Sequence, residues 1–312
     1  MAWPNDLRVG FHLSMAGGPA RLFRRYDDRG CTAFQMFLGS PRSWDVAEWS
    51  DDWLAAFREE LCRRGSPPVV AHTRYLLNLA SRHDAVRARS IATLRAEYRA
   101  ASRLGADFLV LHMGSHPERE RGLALMREGL LAALAEVAGP HPLLLLENTA
   151  GEAHDLGTAP ADLAAIRTQL PFPTGICWDT CHAFQAGFDL TTAEGRRMLE
   201  QALVRAFGAD GVAVVHLNDA LFPRGRGRDR HAALDQGHIG ALALASFLRS
   251  PLLRGATVIF ETPQPDGPDD PAADLANRER LRRAFLEEPS SQTEGTPSIL
   301  RGRGAARRTV PP

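Results

Sequence analysis

Short apolar runs recur along the chain, each too short for a helix and separated from the next by a longer amphipathic stretch. They are rich in Val, Ile, Leu and Phe, as expected for parallel strands buried on both faces. The predicted strands are 7–13, 32–37, 68–72, 107–112, 142–147, 175–179, 212–217 and 256–261. The predicted helices are 44–64, 82–104, 117–138, 158–170, 192–207, 241–249 and 271–286. Ser43 is the expected N-cap of the first helix, and Pro117 opens the third.

Strands alternating with helices predict a single (β/α)8 barrel, or TIM barrel, over residues 1–287. A doubly wound open sheet is the structural alternative, but no Gly-x-Gly-x-x-Gly motif follows the first strand. Residues 288–312 differ, being rich in Ser, Thr, Pro and Gly and ending in arginines among small residues. We expect this segment to be a disordered basic tail.

Composition narrows the function. The chain of 312 residues has 37 Lys+Arg and 37 Asp+Glu, so bulk basic attraction to nucleic acid is absent. All of these cations are arginine, which excludes a lysine Schiff base. There is neither an apolar run of membrane-spanning length nor a secretory signal pattern at the start. Four cysteines make no disulfide scaffold. We therefore expect a cytoplasmic protein without a membrane partner, and we expect it to be a monomer.

Metal-ligand residue types stand where the predicted strands end. The third to eighth strands end at His72, His112, Glu147, Asp179, His216 and Glu261. Because all strand C-termini of a barrel open onto one face, these side chains should converge there. Three further candidates lie just beyond strand ends, namely His182, Asp229 and His231.

The chemistry of this set favours metal binding over a core of hydrogen-bonded histidines. Burying unpaired carboxylates and imidazoles together costs several kcal/mol per charge, which divalent cations would offset. Nine such ligands suit zinc or manganese and are too many for one tetrahedral ion, so we expect two or three ions with a bridging carboxylate. We interpret Cys177 and Cys181 as packing residues. His12 and His116 are expected to support the ligands from behind. The other histidines match no ligand position: His83, His141, His154 and His238.

Three long motifs carry a resemblance to a known family. Residues 72–78 read His-Thr-Arg-Tyr-Leu-Leu-Asn, and residues 175–182 read Gly-Ile-Cys-Trp-Asp-Thr-Cys-His. Residues 216–220 read His-Leu-Asn-Asp-Ala and are followed by Asp229-Arg-His231. With shorter segments at 10–18, 112–116, 147–151 and 260–262, these motifs resemble the endonuclease IV type of apurinic/apyrimidinic (AP) endonuclease. The resemblance runs from Val9 to Asp266.

The resemblance implies a (β/α)8 barrel that holds three zinc ions, with Mn2+ as an alternative at some positions. The first ion would be held by His72, His112 and Glu147. The second would share Glu147 and be completed by Asp179, His216 and Glu261. The third would be held by His182, Asp229 and His231. Glu147 and Glu261 are the implied catalytic residues, and Glu147 would orient or deprotonate the attacking water.

The implied reaction is hydrolysis of the phosphodiester 5′ to an abasic site in duplex DNA, leaving a 3′-hydroxyl, with removal of 3′ blocking groups as a further activity. Arg42 resembles an arginine that enters the base stack, and Tyr75 and Leu76 resemble wedge residues at the abasic gap. Without the resemblance, packing of the loop core would be the favoured interpretation of Tyr75 and Leu76. A basic loop beside two ligands is expected to contact phosphates through Arg224, Arg226, Arg228 and Arg230.

Some positions depart from the family pattern, and they bear on DNA contact and ligand support rather than on the ligands. These are Arg74, Met113, Leu221, Arg226 and Gln236. Two other functions compete with the nuclease. One is a metal-dependent sugar isomerase or epimerase on the same barrel, which would not need Asp229 and His231 as ligands. The other is a catalytically weak protein that binds DNA lesions.

Overall fold

Eight parallel strands close into a barrel, and a small antiparallel hairpin stands beside it. The computed structural model describes residues 3–46, 48–137, 139, 142–209 and 211–287, so the expected tail at 288–312 and His141 lie outside the described residues. The strands are β1 Arg8–His12, β2 Ala33–Phe37, β3 Val69–His72, β4 Phe108–His112, β5 Leu143–Glu147, β6 Thr174–Asp179, β7 Val212–His216, β8 Asp219–Ala220, β9 His231–Ala232 and β10 Thr257–Phe260. The order around the barrel is β1-β10-β7-β6-β5-β4-β3-β2, which confirms the predicted fold.

Helices cover the outside of the barrel. They are α1 Gly18–Asp28, α2 Asp51–Arg63, α3 Asp84–Leu104, α4 Arg119–Leu134, α5 Pro160–Arg167, α6 Thr180–Gln185, α7 Ala193–Phe207, α8 Ala241–Leu248 and α9 Ala272–Glu287. Their apolar faces pack against the outward side chains of the strands and form the main core. No helix in the described part of the chain is both long and apolar enough to cross a membrane.

Some sequence-based helix assignments were wrong or missing. The helix predicted to begin after Ser43 begins at Asp51, because the Ser50 hydroxyl accepts the Trp53 N–H at 3.2 Å and caps it there. The helix predicted to open at Pro117 begins two residues later, with Glu118 at its N-cap. Helices α1 and α6 were not predicted; α1 buries few apolar side chains, and α6 has only 6 residues.

The inward-facing residues of the barrel strands show where the candidate ligands lie. A separate apolar cluster fills it, formed by Ala33, Val70, Val110, Leu145, Cys177, Val214 and Ile259. Side chains two residues apart on a strand point to the same face. The residues two positions further along these strands therefore also point inward, one layer nearer the C-terminal mouth. On β1 the corresponding inner position is Gly10, where a Cβ would lie 1.8 Å from the Ala33 carbonyl oxygen.

Candidate metal centre

A ring of polar side chains stands directly above the apolar layer of the barrel. Its members follow the apolar residues by two positions: Gln35, His72, His112, Glu147, Asp179, His216 and Glu261. His12 occupies the same level on β1. The structure thus brings together the six predicted strand-end ligands and adds Gln35, which the sequence analysis did not identify. Gln35 could have been found from its inward register with Ala33.

Glu147 lies at the centre of the first group, completely buried. Its Oε2 is 3.0 Å from His112 Nε2 and 3.3 Å from His72 Nε2. The other ring nitrogen of His72, Nδ1, donates to the Thr73 carbonyl oxygen at 2.5 Å, which leaves Nε2 with a lone pair. These three residues could each offer one ligand atom within 4.8 Å of the others.

His216 joins Glu147 to Glu261 on the opposite side. Its Nδ1 lies 2.8 Å from Glu147 Oε1 and 3.1 Å from Glu261 Oε2. Its Nε2 donates to the side-chain oxygen of Gln35 at 2.8 Å, so Nδ1 is the nitrogen free to bind a metal. The Gln35 amide nitrogen in turn donates to Glu261 Oε1 at 2.6 Å. Gln35 therefore orients two candidate ligands at once.

The third group forms where α6 meets the β8–β9 hairpin. Asp229 Oδ1 is 3.2 Å from His182 Nε2 and 3.2 Å from His231 Nε2. Each histidine is held through its other nitrogen: His182 donates to the Asn148 carbonyl at 2.8 Å, and His231 to the Glu261 carbonyl at 3.1 Å. Within the described part of the chain, the buried His231 Nε2 atom has no hydrogen bond of good geometry, although the Asp229 carboxylate faces it. A metal ion bound there would satisfy such a nitrogen.

Asp179 stands between the second and third groups. Its Oδ1 accepts the backbone N–H of His182 at 2.7 Å, which caps α6, and its Oδ2 accepts the side-chain amide of Asn218 at 2.7 Å. Asn148 accepts the Asp179 N–H at 2.7 Å and donates to the Asp179 carbonyl at 3.0 Å. Asn148 and Asn218 thus position the ligands, and sequence reasoning assigned neither a role, although each directly follows or lies close to a strand-end ligand.

The carboxylates and imidazoles of this site shift each other's pKa values, because each carboxylate stabilises a protonated imidazole beside it. Burial opposes ionisation of Glu147, but His112 and His216 outweigh it and hold the Glu147 pKa well below its usual value. Burial likewise disfavours a charged His231, but the Asp229 and Asp179 carboxylates raise its pKa to about 9. Protons on these nitrogens compete with a metal, so binding would release them.

The two flanking cysteines fit their interpretation as packing residues. Cys177 belongs to the apolar layer inside the barrel, although its sulfur lies within 4.8 Å of ligand atoms of Glu147 and His216. Burial and the Glu147 charge raise the pKa of the Cys177 thiol, which disfavours the thiolate that a metal requires. Cys181 is also buried, and its sulfur donates to the Arg230 carbonyl at 3.6 Å.

The supporting histidines behave differently from each other. His12 lies 3.0 Å from the Gln35 amide nitrogen and 3.7 Å from Glu261 Oε1, so it supports the cluster as expected. His116 does not, because its backbone N–H donates to the His154 carbonyl and its ring faces a neighbouring cavity. His83, His154 and His238 are exposed.

The predicted DNA-contact residues lie around the same mouth. Tyr75 is 62% exposed and its ring centroid lies 5.2 Å from that of Phe37 and 6.2 Å from that of His112. Leu76 is half-buried and Arg42 is exposed. The four loop arginines, Arg224, Arg226, Arg228 and Arg230, are all exposed. Arg224 is partly engaged, since its Nη1 lies 2.7 Å from Asp189 Oδ2. A groove of about 240 Å³ runs from Tyr75 past His112 to Asp229.

The departures from the family pattern separate into buried and exposed positions. Arg74 and Met113 are buried, whereas Leu221, Arg226 and Gln236 are exposed. The Arg74 Nε donates to Glu97 Oε1 at 3.0 Å, so this arginine is an internal strut and does not point at DNA.

Comparison with known proteins places the chain among nucleases of this fold. A family described as a xylose isomerase-like TIM barrel matches residues 23–284. The chain is 40% identical over 286 residues to endonuclease 4 of Thermus thermophilus, covering 90% of this chain and 99% of that protein. A crystal structure of endonuclease IV from Thermus thermophilus matches with a TM-score of 0.80 and 37% identity, covering 90% and 100% of the two chains. A D-tagatose 3-epimerase-like protein matches with a TM-score of 0.66 at 20% identity, covering 89% and 97%, which shows a shared fold alone.

Proposed function

This chain belongs to the endonuclease IV family of xylose isomerase-like TIM barrels, and on that premise we propose that it is a metal-dependent AP endonuclease. It would hydrolyse the phosphodiester 5′ to an abasic site in duplex DNA and leave a 3′-hydroxyl. The observation that carries this proposal is the convergence of nine ligand-type side chains at one barrel mouth, beside an exposed tyrosine and a basic loop.

We propose that the nine residues hold three zinc ions. His72, His112 and Glu147 form one group, and His182, Asp229 and His231 form another. Glu147 and His216 lie close enough to Glu261 to share a further ion, with Asp179 beside them. The donor set of imidazoles and carboxylates suits zinc, and it also suits Mn2+ at the positions richer in oxygen. The nine side chains lie together within a single chain, so the proposed site is complete without a second copy, and we propose a monomeric enzyme.

Bound ions of this kind activate water for in-line attack and stabilise charge on the phosphoryl group and on the leaving 3′ oxygen. The protein supplies the orientation. His112 and His216 lower the Glu147 pKa and so favour its carboxylate form, which could accept a hydrogen bond from the attacking water. Gln35 fixes the direction of Glu261. Tyr75 and Leu76 would fill the gap left by the missing base, and Arg42 would enter the base stack.

A nicking assay on a duplex with one abasic site tests the reaction. The cut should leave a 3′ end that a polymerase extends directly, and borohydride should trap no protein–DNA adduct, because the chain has no lysine to form an imine. A trapped adduct or a blocked 3′ end would show that the cut is a β-elimination. A duplex with a 3′ phosphate or phosphoglycolate tests the further removal of blocking groups.

Elemental analysis of the native protein tests the metal proposal separately. We expect about three metal ions per chain, mainly zinc, from the ligand count. One ion or none, in protein that still nicks abasic DNA, would refute the trinuclear assignment and leave the nuclease assignment standing.

A further inference from the structure

A second cavity opens beside the groove of the candidate metal centre, under the loops that follow β3, β4 and β5. It encloses about 260 Å³ and shares Asn78 and Ser115 with that groove. Its basic lining consists of Arg82, His83, His116 and His154. No carboxylate among the described residues lines it, whereas the neighbouring groove is lined by Glu152, Asp155 and Asp229. The two compartments thus favour opposite charges.

His116 is the buried basic side chain on the wall of this cavity. Its residue is 6% exposed, so it is almost fully buried, yet it lines the cavity wall. Its Nδ1 lies 2.9 Å from the backbone nitrogen of Glu118 and 2.8 Å from the carbonyl oxygen of the same residue. Both contacts use Nδ1, and the structure gives Nε2 no protein partner in the described part of the chain. When Nδ1 accepts the Glu118 N–H, Nε2 carries the proton and can donate it to a ligand or to water at the cavity wall.

Two long helices begin at the same cavity. His83, on its wall, is the N-cap of α3, and Glu118, next to the wall residue Pro117, is the N-cap of α4. In neither helix does the N-cap side chain accept a helix N–H. The first N–H groups of both helices therefore favour an anion at this position, although Asp84 and Glu120 in the two first turns reduce that preference.

We propose that this cavity binds a phosphate group of the DNA backbone next to the abasic residue. The inference rests on the proposed function, because continuity with the groove is what makes a backbone phosphodiester the occupant. The lining provides a guanidinium and three imidazoles, and none of the described residues that line it is a carboxylate. Such a contact would hold the strand in register while the metal centre acts on another phosphate.

The test uses a variant of the three exposed basic wall residues, Arg82→Gln/His83→Gln/His154→Asn. None of them is a candidate metal ligand, and Asn suits the positive φ of 71° at position 154. We expect KM for an abasic duplex to rise about tenfold with kcat changed less than about twofold, and the slope of log KM against log salt to fall by about one. Arg254→Gln, an exposed arginine before β10 at the opposite end of the barrel, is the matched control and should change neither.

A methylphosphonate scan identifies the contact itself. Neutralising single phosphates of the abasic strand, other than the one cleaved, should reveal a position that raises KM for the native protein and not for the triple variant. If neutralising each phosphate raises KM by the same factor in the native protein and in the triple variant, the inference is overturned. Inhibition by inorganic phosphate that the variant loses, without any such position, would assign the cavity to free phosphate and overturn it as well. If the native protein does not nick abasic DNA, the proposed function fails. If both proteins are active and have the same KM and the same salt slope, only the proposed phosphate binding in the cavity is rejected.

Discussion

At the scale of single residues, neutral amides determine how the charged side chains of the centre are aimed. Gln35 is fully buried and bridges His216 Nε2 and Glu261 Oε1. Asn148 accepts the backbone N–H of Asp179, and Asn218 donates to the Asp179 carboxylate. An amide can donate to a carboxylate and accept from an imidazole without adding charge to the cluster. These residues thus fix ligand geometry at little electrostatic cost.

Replacing Gln35 with Leu should weaken metal binding. The change removes the acceptor that fixes the His216 tautomer and the donor that orients Glu261, and such supporting contacts are worth about 10–100-fold in metal affinity. Competition with a chelator, followed by metal analysis, measures the effect. Gln201→Leu, at an exposed position on α7, is the control. Unchanged metal retention in Gln35→Leu would contradict the supporting role.

Glu261→Gln tests a proposed ligand directly. We expect loss of most nicking activity, on the order of 100-fold or more, because a neutral amide binds zinc poorly and His216 loses its charged partner. Binding to an abasic duplex should persist, since Arg42 and Tyr75 lie on other loops. Gel-shift and nicking assays on the same preparation separate the two effects. Nicking within a few-fold of the native rate would refute the ligand assignment.

At the scale of elements, the loops after the strands are held by buried polar contacts rather than by secondary structure. Asp219 at the start of the hairpin is fully buried, and its carboxylate accepts the backbone N–H groups of Ala220, Asp235, Ile239 and Gly240. This fixes the hairpin that carries Asp229 and His231. Arg74 likewise fixes a loop, because it joins the Ser43 carbonyl in the loop after β2 to Glu97 on α3.

Glu97→Leu should destabilise the protein by about 3 kcal/mol, because it leaves the buried Arg74 guanidinium without its opposite charge, although the Ser43 carbonyl still accepts from it. The loss is at the low end for a buried ion pair, because burial raises the Glu97 pKa in spite of Arg74 and so weakens the ionised pair. Urea unfolding of metal-saturated protein measures the change. Glu59→Leu, whose partner Arg63 is exposed, should cost less than about 1 kcal/mol. Equal effects in both variants would contradict a buried strut.

At the scale of the whole molecule, closure of the barrel concentrates charge that only a bound cation or protons can balance. β1 pairs with β10 through Arg8–Thr257 to Phe11–Phe260, and this closure brings strand ends from the whole chain to one mouth. Glu147 touches histidines from β3, β4 and β7 at once. We therefore expect folding and metal binding to be coupled, and the stability of the metal-free chain should depend on pH.

The metal-free protein should lose stability as the pH rises from about 6.5 to about 9. The pKa of His231 is raised from 6.5 to about 9 in the folded chain, so its proton contributes stability that is complete below 6.5 and is lost as the pH passes the folded value. His112, His182 and His216 have raised pKa values as well and act in the same direction.

Thermal melts of chelator-treated and metal-loaded protein across this pH range test the prediction. The melting temperature of the metal-loaded protein should stay nearly constant, because metal ions replace the protons. The exposed His238→Asn variant should follow the native curves, whereas His231→Asn should show a shallower metal-free decline. Parallel curves with and without metal would refute the coupling.

The sequence by itself determined the barrel and the ligand-type strand ends. Buried parallel strands need continuous apolar runs, and each run ends where a polar side chain reaches the mouth, as at His72, His112 and Glu147. The same pattern predicted β6 at 175–179, and the strand observed is Thr174–Asp179, so only its first residue differs.

Only the tertiary structure decided which of these side chains touch and what holds them. Gln35 is an ordinary strand glutamine until closure of the barrel brings His216 and Glu261 against it. Arg74 looks like a surface cation in sequence, but its contact with Glu97 on α3 places it inside. His116 likewise turned away from the ligands toward a cavity that three separate loops create. Local patterns specify which face of an element is buried, whereas contacts between distant elements depend on packing, because no local signal records the partner.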